Sequence, residues 1–139
     1  MIPLSDNHTK SNLRKLLSEV QSIAVVGASS NPNRDSYKVM KFLIDYGYEV
    51  FPVNPNIVEK NILGKKCFKS LKEIQKNIDM VDVFRDKDFI YEITKEAIEV
   101  KANILWTQLG IFDKKAANLG KNAGLKIVMN ECPKIILEG

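Results

Sequence analysis

A short β-branched run, Ile23-Ala24-Val25-Val26, ends on one glycine, Gly27, passes through Ala28-Ser29-Ser30-Asn31-Pro32-Asn33-Arg34, and opens into a helical pattern at Asp35. No other segment constrains the fold as much. An apolar run without alternation is buried on both faces, as in a parallel sheet, and a strand handing straight over to a helix builds a βαβ unit. The turn between them sits at a helix N-terminus, where unpaired N–H groups and the helix dipole attract phosphate. The glycine fingerprint of a dinucleotide site is incomplete, because only Gly27 is present and Ser29 and Asn31 stand near the places of further glycines. The second apolar strand ends Val53-Asn54-Pro55-Asn56, with no acid to hold a ribose diol. The chain is therefore built for a phosphate-bearing ligand for which ordinary NAD is a poor candidate.

The remaining periodicities complete the architecture. Leu13, Leu16, Leu17 and Val20 share a helical face over 9–20, and Val39, Met40, Leu43 and Ile44 share one over 35–46, stopped by Gly47. Strands are expected at 23–26, 49–53, 80–84, 104–106 and 125–129, and further helices at 89–100 and 112–122. Residues 56–66 read as a loop or small hairpin, and Ser70 as the cap of a brief helix through Ile74. Strands alternating with helices predict a single doubly wound α/β domain over 10–139, with a five-stranded, mainly parallel sheet flanked by helices. Residues 1–9 read as a flexible lead-in.

At 139 residues the chain is long enough to bury a core without metal or disulfide staples. The net charge of +4 comes from lysines scattered among acids, which argues against a nucleic-acid face. Two separated cysteines and one histidine in the lead-in assemble no zinc site at a familiar spacing. No apolar run approaches the ~20 residues of a membrane span, and the start lacks a signal peptide's basic and apolar regions. A reducing cytoplasm is the expected compartment.

In doubly wound sheets ligands sit beyond the carboxyl ends of the strands. That rule selects the loops 27–34, 54–56, 84–87, 107–111 and 130–133. In the first, Gly27 and Ala28 let backbone approach a ligand, while Ser29, Ser30 and Arg34 add polar and cationic groups; the plain alternative is a tight turn with a polar cap. Asn54 and Pro55 stand where a ribose-binding acid would be, or form a simple turn. Phe84 and Arg85 offer an aromatic and a phosphate-gripping cation, unless Arg85 pairs with Asp86 or another surface acid. Trp106 reads as core, with Gln108 and Gly110 the better site candidates, Gly110 letting a helix begin close to a ligand. Cys132 has no histidine to activate it, so it reads either as a buried small residue or as a thiol meeting a thiol-bearing ligand in a mixed disulfide.

Taken together, Ile23 to Ser29, Tyr37 to Leu43, Gly47 to Pro55, Gly64 to Phe68, Ser70-Leu71, Ile78 to Arg85, Trp106 to Ile111 and Asn130 to Pro133 resemble the stand-alone CoA-binding domain family. These are small relatives of the nucleotide-binding part of succinyl-CoA synthetase α-subunits. The resemblance runs from about residue 12 to the end and implies a Rossmann-like domain holding coenzyme A or an acyl-CoA at the strand ends. It implies Gly27, Ala28 and Ser29 near phosphates, Asn54 and Pro55 near adenosine, and Phe84, Arg85, Gln108 and Gly110 along the remainder. The phosphorylated histidine of the synthetases has no counterpart, so the expectation is a non-catalytic CoA-binding protein, with a protein partner or homo-oligomer left open. The alternatives are a small NAD- or NADP-type oxidoreductase and a partner subunit with a nucleotide site.

Overall fold

The computed structural model describes residues 9–57 and 59–139; the predicted lead-in, Thr9 apart, lies outside them. Helix α1, Lys10–Ser18, is capped by Thr9, whose hydroxyl accepts from the Asn12 N–H, and it buries Leu13 and Leu17. Strand β1, Ser22–Val26, is buried along its whole length. Helix α2, Asp35–Tyr46, ends where Gly47 takes a left-handed conformation that bonds its N–H back to Leu43 and Ile44. Strands β2 (Glu49–Val53), β5 (Met80–Val83), β6 (Ile104–Thr107) and β7 (Lys126–Val128) follow, separated by the hairpin of β3 (Asn61–Ile62) with β4 (Lys65–Lys66), helix α3 (Lys87–Glu99) and helix α4 (Lys114–Asn122). Helix α5, Pro133–Glu138, completes the chain.

The main sheet has five strands in the order β2-β1-β5-β6-β7, all parallel. From β2 the chain crosses back over β1 to β5, so strand order reverses between β1 and β5 and a crevice opens at their carboxyl ends. Alternation along the strands serves two cores. Ile23, Val25, Met80, Ile104 and Trp106 pack with Leu17 of α1, Leu43 of α2 and Ile136 of α5. Ala24, Val26, Val81, Val83 and Leu105 pack with Ile90 and Ala97 of α3 and Ala116 of α4.

The expected elements form, with ends moved by a residue or two. The strand expected through Phe84 ends at Val83 because Phe84 turns out to the crevice, and α4 starts at Lys114 because the Asp113 carboxylate accepts from the Ala116 N–H. Between Ser70 and Ile74 there is one 3₁₀ turn, Leu71–Glu73, and Ser70 does not cap it. Carboxylates satisfy the backbone there instead, Glu73 accepting from the Lys69 N–H and Glu96 from the Leu71 N–H. Helix α5 has no counterpart among the sequence expectations. It is six residues long and opens on Pro133, too short to show a period.

Asp82 lies in the middle of β5, in register with Val25 on one side and Trp106 on the other. It is fully buried and neither carboxylate oxygen has a hydrogen-bond partner. Burial without a compensating charge pushes its carboxyl well above the usual carboxylate range.

Candidate functional site

A crevice of about 860 Å³ lies over the carboxyl ends of β1, β2, β5 and β6. Of the residues singled out from sequence, Gly27, Ala28, Ser29, Arg34, Asn54, Phe84, Arg85, Gln108 and Cys132 line it. Ser30, Pro55 and Gly110 are not among its lining residues. The Ser30 hydroxyl donates to Glu59, Pro55 is exposed, and the Gly110 N–H donates to the Asn130 side chain at 2.7 Å. Gly110 does not let a helix begin at the ligand, since α4 starts later, at Lys114.

The strand-to-helix turn is shaped by its neighbours. Gly27 has φ +94°, and its N–H and that of Ala28 both donate to the Val53 carbonyl, at 2.8 and 3.2 Å. A Cβ at Gly27 would stand 2.9 Å from the Phe84 carbonyl oxygen, so the glycine is required where the exit of β5 passes the exit of β1. Asn54 ties the two loops: its amide donates to the Ala28 carbonyl at 3.0 Å, and its oxygen accepts from the Asn56 N–H at 2.9 Å. Ser29 and Asn31 accept from backbone N–H groups two residues on, a local polar turn. These side chains set the loop's shape, and Gly27, Ala28 and Ser29 line the crevice.

The charge at the crevice is cationic and unspent. Arg34, Lys38 and Arg85 line it, and among the described residues none of them is in an ion pair. Arg85 does not pair with Asp86; its guanidinium lies 4.0 Å over the Phe89 ring, which holds the cation in place without neutralising it. Arg34, at the N-cap of α2, makes no capping hydrogen bond with its side chain, so first-turn N–H groups beside Asp35 and Ser36 remain available at the crevice. Asp35 and Asp86 are the acids on the lining, while Lys134 is held by Glu138 at 2.7 Å. Lys38 lines the crevice without being among the candidates taken from sequence, although it falls within the Tyr37–Leu43 segment and stands four residues after Arg34, one helical turn along.

The other end of the crevice has as its charged group Lys134, which is paired with Glu138. Gln108 and Cys132 are each 7% exposed, whereas Leu109 and Ile135 are open to solvent. Cys132 lies in the loop between β7 and α5, as expected, and is buried there against Trp106 and Ile136, a thiol at the crevice wall. Trp106 is wholly buried, as expected, and its indole N–H donates to the Glu131 carbonyl at 2.9 Å. Glu131 itself does not line the crevice.

A second cavity, about 670 Å³, opens at the amino ends of β1 and β2 between Arg14, Tyr46, Tyr48 and Glu49. Its charged groups, Arg14 and Glu49, are already used, as is the Tyr48 hydroxyl. Arg14 donates to the Ile136 and Leu137 carbonyls, the Tyr48 hydroxyl to the Leu17 carbonyl, and Lys76 pairs with Glu49. Unsatisfied cations mark the crevice at the carboxyl ends as the site.

A family profile described as "CoA binding domain" matches residues 21–138. The chain is 39% identical over 129 residues to a Bacillus subtilis protein, "Uncharacterized protein YneT", covering 93% of this chain and 94% of that one. It is 39% identical over 80 residues to the α subunit of "Acetate--CoA ligase [ADP-forming] I" of Pyrococcus furiosus, covering 55% of this chain but only 17% of the subunit. A solved "hypothetical protein from Pyrococcus horikoshii OT3" superposes with a TM-score of 0.90 at 36% identity, over 99% of this chain and 96% of that one.

Proposed function

This chain belongs to the CoA-binding domain family, and from that premise we propose that it is a cytoplasmic, non-catalytic binding protein for coenzyme A or an acyl-CoA. The observation that carries the reading is the set of unpaired cations Arg34, Lys38 and Arg85 around the Gly27 turn and the uncapped start of α2. Coenzyme A brings a diphosphate and a 3′-phosphate, and cations held in place beside free N–H groups are what such charge requires. NAD lacks the third phosphate, and Asn54, already bonded to Ala28 and Asn56, offers no carboxylate to its ribose. The ligase chemistry named for the Pyrococcus relative belongs to a protein of which this chain spans less than a fifth.

Thermal unfolding tests the reading. Coenzyme A at 100 times its Kd adds about 2.7 kcal/mol to stability, a rise of roughly 10 °C for a domain of this size, and NAD should add nothing. A shift with NAD and none with coenzyme A overturns it.

Arg85→Ala isolates the electrostatic part. The side chain's partner is the Phe89 ring, so its loss costs the fold only about 0.5–1 kcal/mol. Affinity for coenzyme A at low salt should fall about tenfold, and the deficit should narrow as salt rises. An affinity equal to wild type at low salt removes Arg85 from the phosphate site.

A further inference from the structure

Gln108, Leu109 and Ile111 reach the crevice from the loop that leaves β6. Residues 108–111 form a β-turn closed by the Ile111 N–H, which donates to the Gln108 carbonyl at 3.1 Å, and Gly110 stands third with φ +81°, as a type II turn requires. Leu109 at the tip is 56% exposed, so packing does not hold this turn in place. A β-turn also leaves the N–H of its third residue unused. Here that group finds an acceptor on a different loop: the Gly110 N–H donates to the Asn130 side-chain oxygen at 2.7 Å.

Asn130 follows β7 and has φ +63°, a left-handed conformation that asparagine and aspartate adopt at lower cost than other residues with a side chain. Neighbouring bonds fix it there. Its N–H donates to the Thr107 hydroxyl at 3.3 Å, and that hydroxyl donates in turn to the Ile111 carbonyl at 2.7 Å. The Glu131 N–H donates to the Thr107 carbonyl at 3.2 Å, and the Glu131 carbonyl accepts from the Trp106 indole. Thr107 and Trp106 are wholly buried, so the posts of this network do not move. The exits of β6 and β7 are thereby bolted together, and Asn130 holds the outer side of the turn. Two requirements meet at position 130: a backbone that tolerates positive φ, and a short side-chain acceptor that reaches Gly110. Glycine meets only the first; asparagine and aspartate meet both.

Resting on the reading above, we propose that Asn130 is a positioning residue, which clips Gly110 so that the 108–111 turn holds its binding shape before coenzyme A arrives. Asn130 does not itself line the crevice, and it acts through the turn that does. The same posts anchor the loop that carries Cys132 and leads into α5 with Lys134 and Ile135, so this wall of the crevice is one unit built from two loops. The size of the effect follows from preorganisation. Apparent affinity scales with the fraction of molecules whose turn is in place, and the loss of one hydrogen bond lowers that fraction by at most about tenfold.

Asn130→Gly and Asn130→Asp separate the clip from the backbone, since both keep the positive φ and only aspartate keeps the acceptor. Exchange of the Gly110 amide proton, followed by NMR without ligand, should be slow in wild type and in Asn130→Asp, and about tenfold faster in Asn130→Gly. Calorimetric titration with coenzyme A belongs at about 0.15 M salt, where a Debye length of about 8 Å screens the charge that aspartate adds. Affinity should fall several-fold in Asn130→Gly and stay close to wild type in Asn130→Asp. Unchanged Gly110 exchange in Asn130→Gly overturns the clip. Faster exchange with undiminished affinity overturns the positioning role and leaves Asn130 a purely structural residue. Equal losses of affinity in both variants also overturn it, because the acceptor would then not be what matters. A wild-type protein that binds no coenzyme A overturns the underlying reading, and this one with it.

Discussion

Gly27→Ala is expected to destabilise the protein by about 3 kcal/mol and to remove most of its affinity for coenzyme A. Two costs add. Gly27 has φ +94°, where a side chain costs about 1–2 kcal/mol. The new Cβ would also stand 2.9 Å from the Phe84 carbonyl oxygen and 3.1 Å from Arg85 Cδ. The carbonyl is main chain and cannot swing aside, so β5's exit must move, and Arg85 moves with it. At a few degrees per kcal/mol the melting temperature should drop by roughly 10 °C. Gly47→Ala separates the two costs: Gly47 has φ +119° with nothing near a Cβ, so it loses only the conformational part, about 1 kcal/mol. If both variants melt alike, the close approach at Phe84 contributes nothing. If Gly27→Ala binds coenzyme A normally, the turn does not shape the site.

That close approach is also where sequence reading reaches its limit. Gly27 is legible as the end of a buried strand opening into a helix, because a β-branched run, one glycine and a helical period follow each other in sequence. The identity of the group it makes room for is not, since Phe84 is remote along the chain and arrives through the crossover to β5. Asn54 is legible as a strand-end polar residue, but what it does is hold the Ala28 carbonyl, a contact made only once β2 lies beside β1. Arg85 shows the same division. Its residue type marks it as an anion binder, while its immobilisation on Phe89 depends on α3 starting at Lys87, which brings residue 89 beneath it. Lys38, inside the resembling segment 37–43 but not marked as a binder by residue type alone, and Ile135, which carries no motif, reach the crevice through the placement of α2 and α5. Local pattern thus shows which strand ends matter; partners come from topology.

Asp82→Asn should stabilise the protein progressively more as pH rises. The wild-type carboxyl is fully buried without a hydrogen-bond partner, and burial holds its pKa well above that of the unfolded chain. Below the ordinary carboxylate pKa both folded and unfolded chains keep the proton, and this group gives stability no pH dependence. Above it the unfolded chain releases the proton while the folded one retains it, so wild-type stability declines with a slope approaching about 1.4 kcal/mol per pH unit. The decline continues up to the folded-state pKa and then levels off. Asparagine keeps the shape without the ionisation and has no such slope. Its amide is also buried without evident partners, which adds a constant offset, so the quantity to read is how the gap changes with pH. Melting temperatures of the two proteins from pH 4 to pH 8 should diverge upward from the acid end, Asp82→Asn gaining on wild type until the folded-state pKa of Asp82 is reached. A gap that stays constant across that range would mean that the Asp82 carboxyl finds a partner or solvent on folding, and that the centre of the sheet is not sealed.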